Sequence, residues 1–155
     1  MPVKPDLCEL CQSDGGEVLY RGYHYRVVRV TGSESDGYPG FCRVIWNDHI
    51  KEMSDLVEAD RQAFMAAVFC VEAALRASLK PEKINLASLG NMTPHLHWHV
   101  IPRFITDPAF PKPIWAAGVA LPPQIDKLAD EQGIRNADAH VEWVSAVRRA
   151  LNKSV

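Results

Sequence analysis

The sequence lacks a continuous apolar stretch of the roughly 20 residues that a membrane helix requires; its longest purely apolar run, Ala63 to Val71, stops at Glu72. Near the N-terminus, Lys4, Asp6 and Glu9 interrupt any segment that would form the apolar centre of a secretory signal. These absences lead us to expect a soluble cytoplasmic protein with no membrane partner. An excess of basic side chains is also missing, since 17 Lys and Arg face 19 Asp and Glu for a formal net charge of -2. Binding to a nucleic-acid polymer rests largely on neutralising backbone phosphates, so no such polymer is expected, whereas a single nucleotide is not excluded. Internal repeats and low-complexity tracts are absent. What remains is 155 residues, 47% hydrophobic and 23% charged, the composition of one globular domain over residues 1–155. At this length a chain buries on the order of 70% of its unfolded surface and needs no disulfide scaffold.

Cysteine is scarce but unevenly placed: Cys8 and Cys11 form a close pair, and Cys42 and Cys70 lie inside apolar runs. In a reducing compartment a close pair more often binds metal or does redox chemistry than it forms a structural disulfide. The other two read as buried small hydrophobes. A redox role for Cys8-Glu9-Leu10-Cys11 would call for a helix after the motif, whereas Ser13-Asp14-Gly15-Gly16 follows and reads as a turn. The CxxC spacing suits half of a zinc site, so two further ligands would have to come from far along the chain.

The chain changes character twice. Residues 17–21, 23–30 and 41–46 are short extended pieces rich in Val, Tyr, Ile and Phe, separated by Gly15-Gly16 and by the polar stretch 31–40. From Asp55 to Leu79 the period becomes helical, with Phe64, Val68, Val71 and Leu75 on one stripe; Asp55 followed by Glu58 suits a capping box, and Lys80-Pro81 ends the helix. Strands over 83–89 and 96–104 follow, with Gly90-Asn91 as the turn between them. Pro102, Pro108, Pro111, Pro113, Pro122 and Pro123 then mark an ordered irregular segment wrapped over the domain. Asp138 would cap a final helix to about Asn152, with Val141, Val144 and Leu151 as its packing face. The fold class that results is α+β: a mainly antiparallel sheet of five strands with one long helix, a core over about 7–104, and a C-terminal extension over 105–155 made of the Pro-rich segment and a helix.

His95, His97 and His99 alternate with Leu96, Trp98 and Val100. On a strand of period two the imidazoles share one face and the apolar residues the other. A wholly imidazole face makes a poor core element, because each buried ring needs partners for both nitrogens. Such a cluster binds a transition metal, or it supplies nucleophilic and proton-transfer groups near neutral pH. The isolated His24 and His140 read instead as surface or hydrogen-bonded residues.

The stretch from Lys83 to Arg103, with Asn85 on the first strand, Gly90-Asn91 at the turn and the alternating histidines running into Ile101-Pro102-Arg103, resembles the signature of the histidine triad nucleotide hydrolases and transferases. The resemblance implies that His97 attacks the α-phosphorus of a nucleoside phosphate derivative to form a nucleotidyl-histidine. His99 would contact phosphate oxygens and help to protonate the leaving group. Asn85, Asn91 and Thr93 would contact the phosphate, and Asp36 or Glu34 stands nearest the place of the family's ribose-binding acid. Zinc-bearing relatives, including the galactose 1-phosphate uridylyltransferase branch, imply a closed structural site of Cys8, Cys11, His49 and His95. A homodimer that extends the sheet is implied as well. Two rival readings remain open at this point: a metallohydrolase with all three histidines on one catalytic metal, and a non-catalytic nucleotide-binding module.

Overall fold

The computed structural model describes residues 6–116 and 137–153. A short helix α1 (Glu9–Gln12) leads into β1 (Glu17–Arg21), β2 (Tyr25–Arg29) and β3 (Cys42–Trp46); helix α2 (Glu58–Leu79) then crosses to β4 (Lys83–Ala87) and β5 (His97–Arg103), and α3 (Ala137–Lys153) follows. The strands form one antiparallel sheet in the order β1-β2-β3-β5-β4. β1 has the bounds expected from the sequence, and the other four strands are trimmed relative to that reading. His95 and Leu96 in particular precede β5, and Gly90, at φ 74°, takes the left-handed conformation that a turn residue without Cβ accepts.

Cross-strand partners share a face. Ile45 opposite His97, Arg43 opposite His99 and Ala87 opposite His99 therefore set the imidazoles on one side of the sheet. Val44 opposite Trp98 and Cys42 opposite Val100 set the apolar residues on the other. The apolar side forms the main core with the α2 stripe of Phe64, Val68, Val71 and Leu75, all fully buried. Each such side chain contributes on the order of 1.5–3 kcal/mol when it leaves water. Helix α2 is long and apolar enough to cross a membrane by length and composition alone, but that buried stripe lies against the sheet.

The ends of the helices depart from expectation. Asp55 does not cap α2: its carboxylate accepts the Glu52 backbone N–H at 3.3 Å and closes a capping box around the 3-10 turn Met53–Asp55, which leaves Val57 as the N-cap without a side-chain bond. Lys80 at φ 49° ends the helix as read, its N–H bonded to the Arg76 carbonyl. In α3, Asp138 lies within the helix rather than at its cap, and Val141 is 61% exposed. The packing face there is Trp143, Val144, Val147 and Leu151. Pro122 and Pro123 and the His140 side chain lie outside the described residues.

Two segments cover the imidazole side of the sheet and leave a gap between them. On one flank Cys8 and Leu10 pack on Val28 and Ile45. The buried Arg26 fastens that turn by donating to the carbonyls of Leu10 at 2.7 Å, Asp14 at 3.0 Å and Ser13 at 3.2 Å. On the other flank Ala109 and Ile114 pack on Val30, Phe41 and Ile101. The clasp there is a bidentate ion pair, with Arg103 Nε and Nη2 at 2.7 and 3.0 Å from the Asp107 carboxylate. That carboxylate also accepts the backbone N–H groups of Phe104, Ala109 and Phe110. A charge pair this deeply buried persists only because its donors and acceptors are satisfied.

Candidate active site and metal centre

His97 and His99 lie in the gap between the two covering segments, 7% and 4% exposed. Nδ1 of His97 is 2.6 Å from the His95 carbonyl. A carbonyl only accepts, so Nδ1 carries the ring proton and Nε2 keeps its lone pair. That Nε2 lies 3.2 Å from Nε2 of His99, which must then donate. His99 Nδ1 is left as a buried acceptor with no partner in the structure. Burial lowers the pKa of His97 below its ordinary value, with the Arg43 charge adding to the effect and the His95 carbonyl opposing it. Burial, with the neighbouring His97 and Arg43, pushes His99 down to about 3. Both rings are neutral at pH 7, the state in which an imidazole is a nucleophile.

A depressed histidine pKa also has a consequence for stability. The unfolded chain binds the His99 proton near pH 6.5 and the native state only near 3, so this contribution is present above 6.5 and is lost as pH falls through that value. Between pH 7 and pH 5 the native state should lose roughly 2 kcal/mol from this group alone. Urea midpoints measured across that interval should flatten in His99→Gln. An unchanged slope would show that His99 is not held neutral.

The gap opens into a cavity of about 530 Å³ whose wall includes Arg43, Glu34, Asn91, Thr93 and Trp115 besides the two imidazoles. Asn91 and Thr93 thus line the same cavity as the two histidines, and Asn85 does not. Its register partner is Ile101, its side-chain carbonyl accepts Arg103 Nη1 at 2.7 Å, and it lines a neighbouring cavity of about 520 Å³. The Arg103–Asp107 clasp thus engages the amide expected at phosphate. Arg43 and Trp115 are among the cavity residues that sequence reasoning missed, with Glu9 and Leu89. Arg43 stood out as the one charge inside 41–46, whereas Trp115, whose ring centroid is 4.9 Å from that of His99, gave no local signal. Phe41 also approaches His99, at 5.7 Å between centroids.

Beside this cavity one donor atom each from Cys8, Cys11, His49 and His95 lies within 4.8 Å of the other three. Nδ1 of His95 is 3.5 Å from the Cys8 sulfur and 3.4 Å from that of Cys11, and Nδ1 of His49 is 3.3 Å from Cys11. Zinc bonds of about 2.3 Å to sulfur and 2.0–2.1 Å to nitrogen put a tetrahedral sulfur–nitrogen edge near 3.6 Å. The spacing and the donor set both fit that ion. Nε2 of His95 donates to the Trp46 carbonyl at 2.7 Å, which fixes the tautomer and turns Nδ1 toward the thiols. Both ring nitrogens of His95 are therefore occupied away from His97 and His99. A single metal shared by the three histidines does not fit this geometry.

A family model, the HIT domain, matches residues 21–106. Among solved structures, a histidine triad protein from Bradyrhizobium japonicum is 27% identical with a TM-score of 0.67, the match covering 88% of this chain and 91% of that one. Another from Sinorhizobium meliloti is 25% identical with a TM-score of 0.60, covering 78% and 87%. One from Marinobacter aquaeolei, at 22% identity and a TM-score of 0.62 over 88% and 97%, shares the fold. No curated protein matches the chain. The matched span takes in more than half of the residues, from the end of β1 through β5, and with them His49, His95, His97 and His99. On that span, the sheet and the histidine arrangement together, the chain belongs to the HIT domain family, whose members bind nucleotides or act as hydrolases and transferases.

Proposed function

We propose that the protein is a nucleotide hydrolase or nucleotidyltransferase acting at the α-phosphate of a nucleoside phosphate derivative through His97. The carrying observation is the unprotonated Nε2 of His97 on the wall of the cavity, its tautomer set by the His95 carbonyl. In the first step Nε2 donates its lone pair to the α-phosphorus as the bond to the leaving group breaks, giving a nucleotidyl-histidine. The proton on Nε2 of His99 passes to the departing atom while its Nδ1 takes one up from solvent, so the ring stays neutral. Water then attacks the same phosphorus as its bond to Nε2 of His97 breaks; one proton of the water returns to Nε2 of His99 as Nδ1 releases its own to solvent, and the nucleoside monophosphate leaves, an acceptor hydroxyl taking the place of water in a transfer. Asn91 and Thr93 supply donors to the phosphate oxygens. Asn85, bonded to Arg103, supports the Trp115 segment instead.

Cys8, Cys11, His49 and His95 would hold a zinc ion. Bound there with all four positions filled, it supplies a structural cross-link and no bond to substrate. A homodimer that extends the sheet is supported by the position of β4 at its edge. A cytoplasmic setting is supported by the close Cys8 and Cys11 pair, which faces the imidazoles of His95 and His49 rather than closing a disulfide.

The deciding experiment mixes enzyme with a dinucleoside polyphosphate, a nucleoside phosphoramidate or a nucleotide sugar and reads the intact mass within one turnover. A nucleotidyl increment that maps to the peptide containing His97 is expected with at least one substrate. Nucleotide binding without any adduct or turnover would reduce the protein to a binding module.

A further inference from the structure

Among the described residues, Arg43 is the one of fixed positive charge on the wall of the catalytic cavity, where the other ionisable groups are two neutral imidazoles and the carboxylates of Glu9 and Glu34. It lies directly across from His99 on the neighbouring strand. Its side chain is 16% exposed, yet its donors are poorly used. Nη1 reaches the Gly15 carbonyl only at 3.4 Å, Nε is buried with no partner in the structure, and Nη2 pairs with the Glu34 carboxylate. Glu34 comes from the 3-10 turn Ser33–Ser35, with 40% of its side chain in solvent. An exposed ion pair of this kind is weak and exchanges readily, whereas the planar guanidinium fork suits two oxygens of one phosphate.

We infer that Arg43 binds the α-phosphate of the substrate and that Glu34 occupies the guanidinium in the free protein as a stand-in anion, leaving when the phosphate arrives. The inference rests on the nucleotidyl-transfer reading and adds to it the group that carries the phosphate charge. With Glu34 in place, an incoming phosphate would meet a like charge beside a satisfied cation. With Glu34 displaced, the same cation lies beside His99, where charge develops on the oxygens during attack by His97. The ligand class is a phosphate ester, anhydride or phosphoramidate of a nucleoside, held by its phosphate.

The test titrates adenosine 5′-monophosphate, inorganic phosphate and adenosine into the full chain by calorimetry, for wild type, Arg43→Gln, Arg43→Lys and Glu34→Gln, with a melting curve for each. Arg43→Gln should weaken the monophosphate about 10-fold or more, and Arg43→Lys should recover part of that loss. Glu34→Gln should tighten both the monophosphate and inorganic phosphate by roughly 3- to 10-fold because the internal competitor is gone. Adenosine should bind equally to all four. Equal monophosphate affinity in wild type and Arg43→Gln overturns the inference. So does a weakening in Glu34→Gln, which would make Glu34 a ribose ligand or a prop for its loop, and so does a wild type that binds no monophosphate. Should Arg43→Gln fail to fold, the sign of the Glu34→Gln effect decides alone. Failure of the catalytic reading looks different: the affinity pattern holds while wild type forms no nucleotidyl adduct.

Discussion

Replacement of His97 by Ala is expected to lower kcat by about 10,000-fold or more while the affinity for nucleoside monophosphate changes by less than about 10-fold. The asymmetry follows from where the imidazole acts. In the proposed mechanism its Nε2 bonds to phosphorus only in the chemical step, whereas ground-state binding would draw on the cavity wall, which includes Asn91, Thr93 and Trp115. The His95 carbonyl at 2.6 Å from Nδ1 holds the ring in the tautomer that leaves Nε2 unprotonated, and among the described residues no other side chain beside it is placed to take over as nucleophile. His99 is the nearest, but its Nε2 carries a proton and faces His97 at 3.2 Å. Its own removal should cost roughly 100- to 10,000-fold, the range for proton transfer, and most with the poorest leaving groups. Rapid-mix kinetics on both variants would check this pair of expectations. Turnover of His97→Ala within a few-fold of wild type would end the covalent mechanism, and equal losses across leaving groups in His99→Ala would leave His99 an electrostatic role only.

The histidine face was legible because the period of a strand is short and rigid. Alternation over His95 to Ile101 fixes which side chains share a face before any partner strand is known; the register of β3 and β5 keeps that division for His97 and His99, while His95 lies before the strand. The long helix was legible for the same reason, from Phe64, Val68, Val71 and Leu75. Capping was not, because Asp55 had two backbone N–H groups within reach and its sequence neighbours do not say which it takes; it took Glu52. Asn85 illustrates a different limit. Its position on β4 was read correctly, but its amide faces Arg103, and that arginine is drawn there by Asp107, several residues past the end of β5. Trp115 reaches His99 only because the same clasp folds the Pro-rich segment back over the sheet. Contacts of this kind depend on buried charge satisfaction between distant segments, and no local period encodes them. Val141 failed for a simpler reason, since an apolar residue in a helix need not lie on its buried stripe, and here Trp143 and Val147 define that stripe instead.

Exchange of Cys8 for Ser, or of His95 for Ala, is expected to lower zinc content from about one per chain toward zero and to lower Tm by roughly 10 °C. The size comes from what the four ligands join. Cys8 and Cys11 belong to the turn around α1, His49 follows β3, and His95 precedes β5, so one ion held there would tie the N-terminal segment to the sheet beside the strand of His97 and His99. Bringing these segments together without the ion leaves the buried Cys8 thiol and His95 imidazole, 6% and 1% exposed, to share the His95 Nδ1 with the Cys11 sulfur in place of a metal. A loss of about 3–5 kcal/mol is the scale for breaking a buried polar cluster, and about 2–4 °C of Tm accompanies each kcal/mol in a chain of this size. The main core of α2, α3 and the sheet is built without these residues, so the variants should remain folded at room temperature, unlike small zinc modules that depend on the ion outright. Acid should release the metal as well, because thiolate and neutral imidazole must be protonated to let it go. His97→Ala is the control that gives the measurement its force: its imidazole faces His99 and not the thiols, so elemental analysis and melting curves should match wild type. Metal loss from His97→Ala as complete as from Cys8→Ser would mean that the histidines share one ion, and the division between a structural His95 and a catalytic His97 would fail.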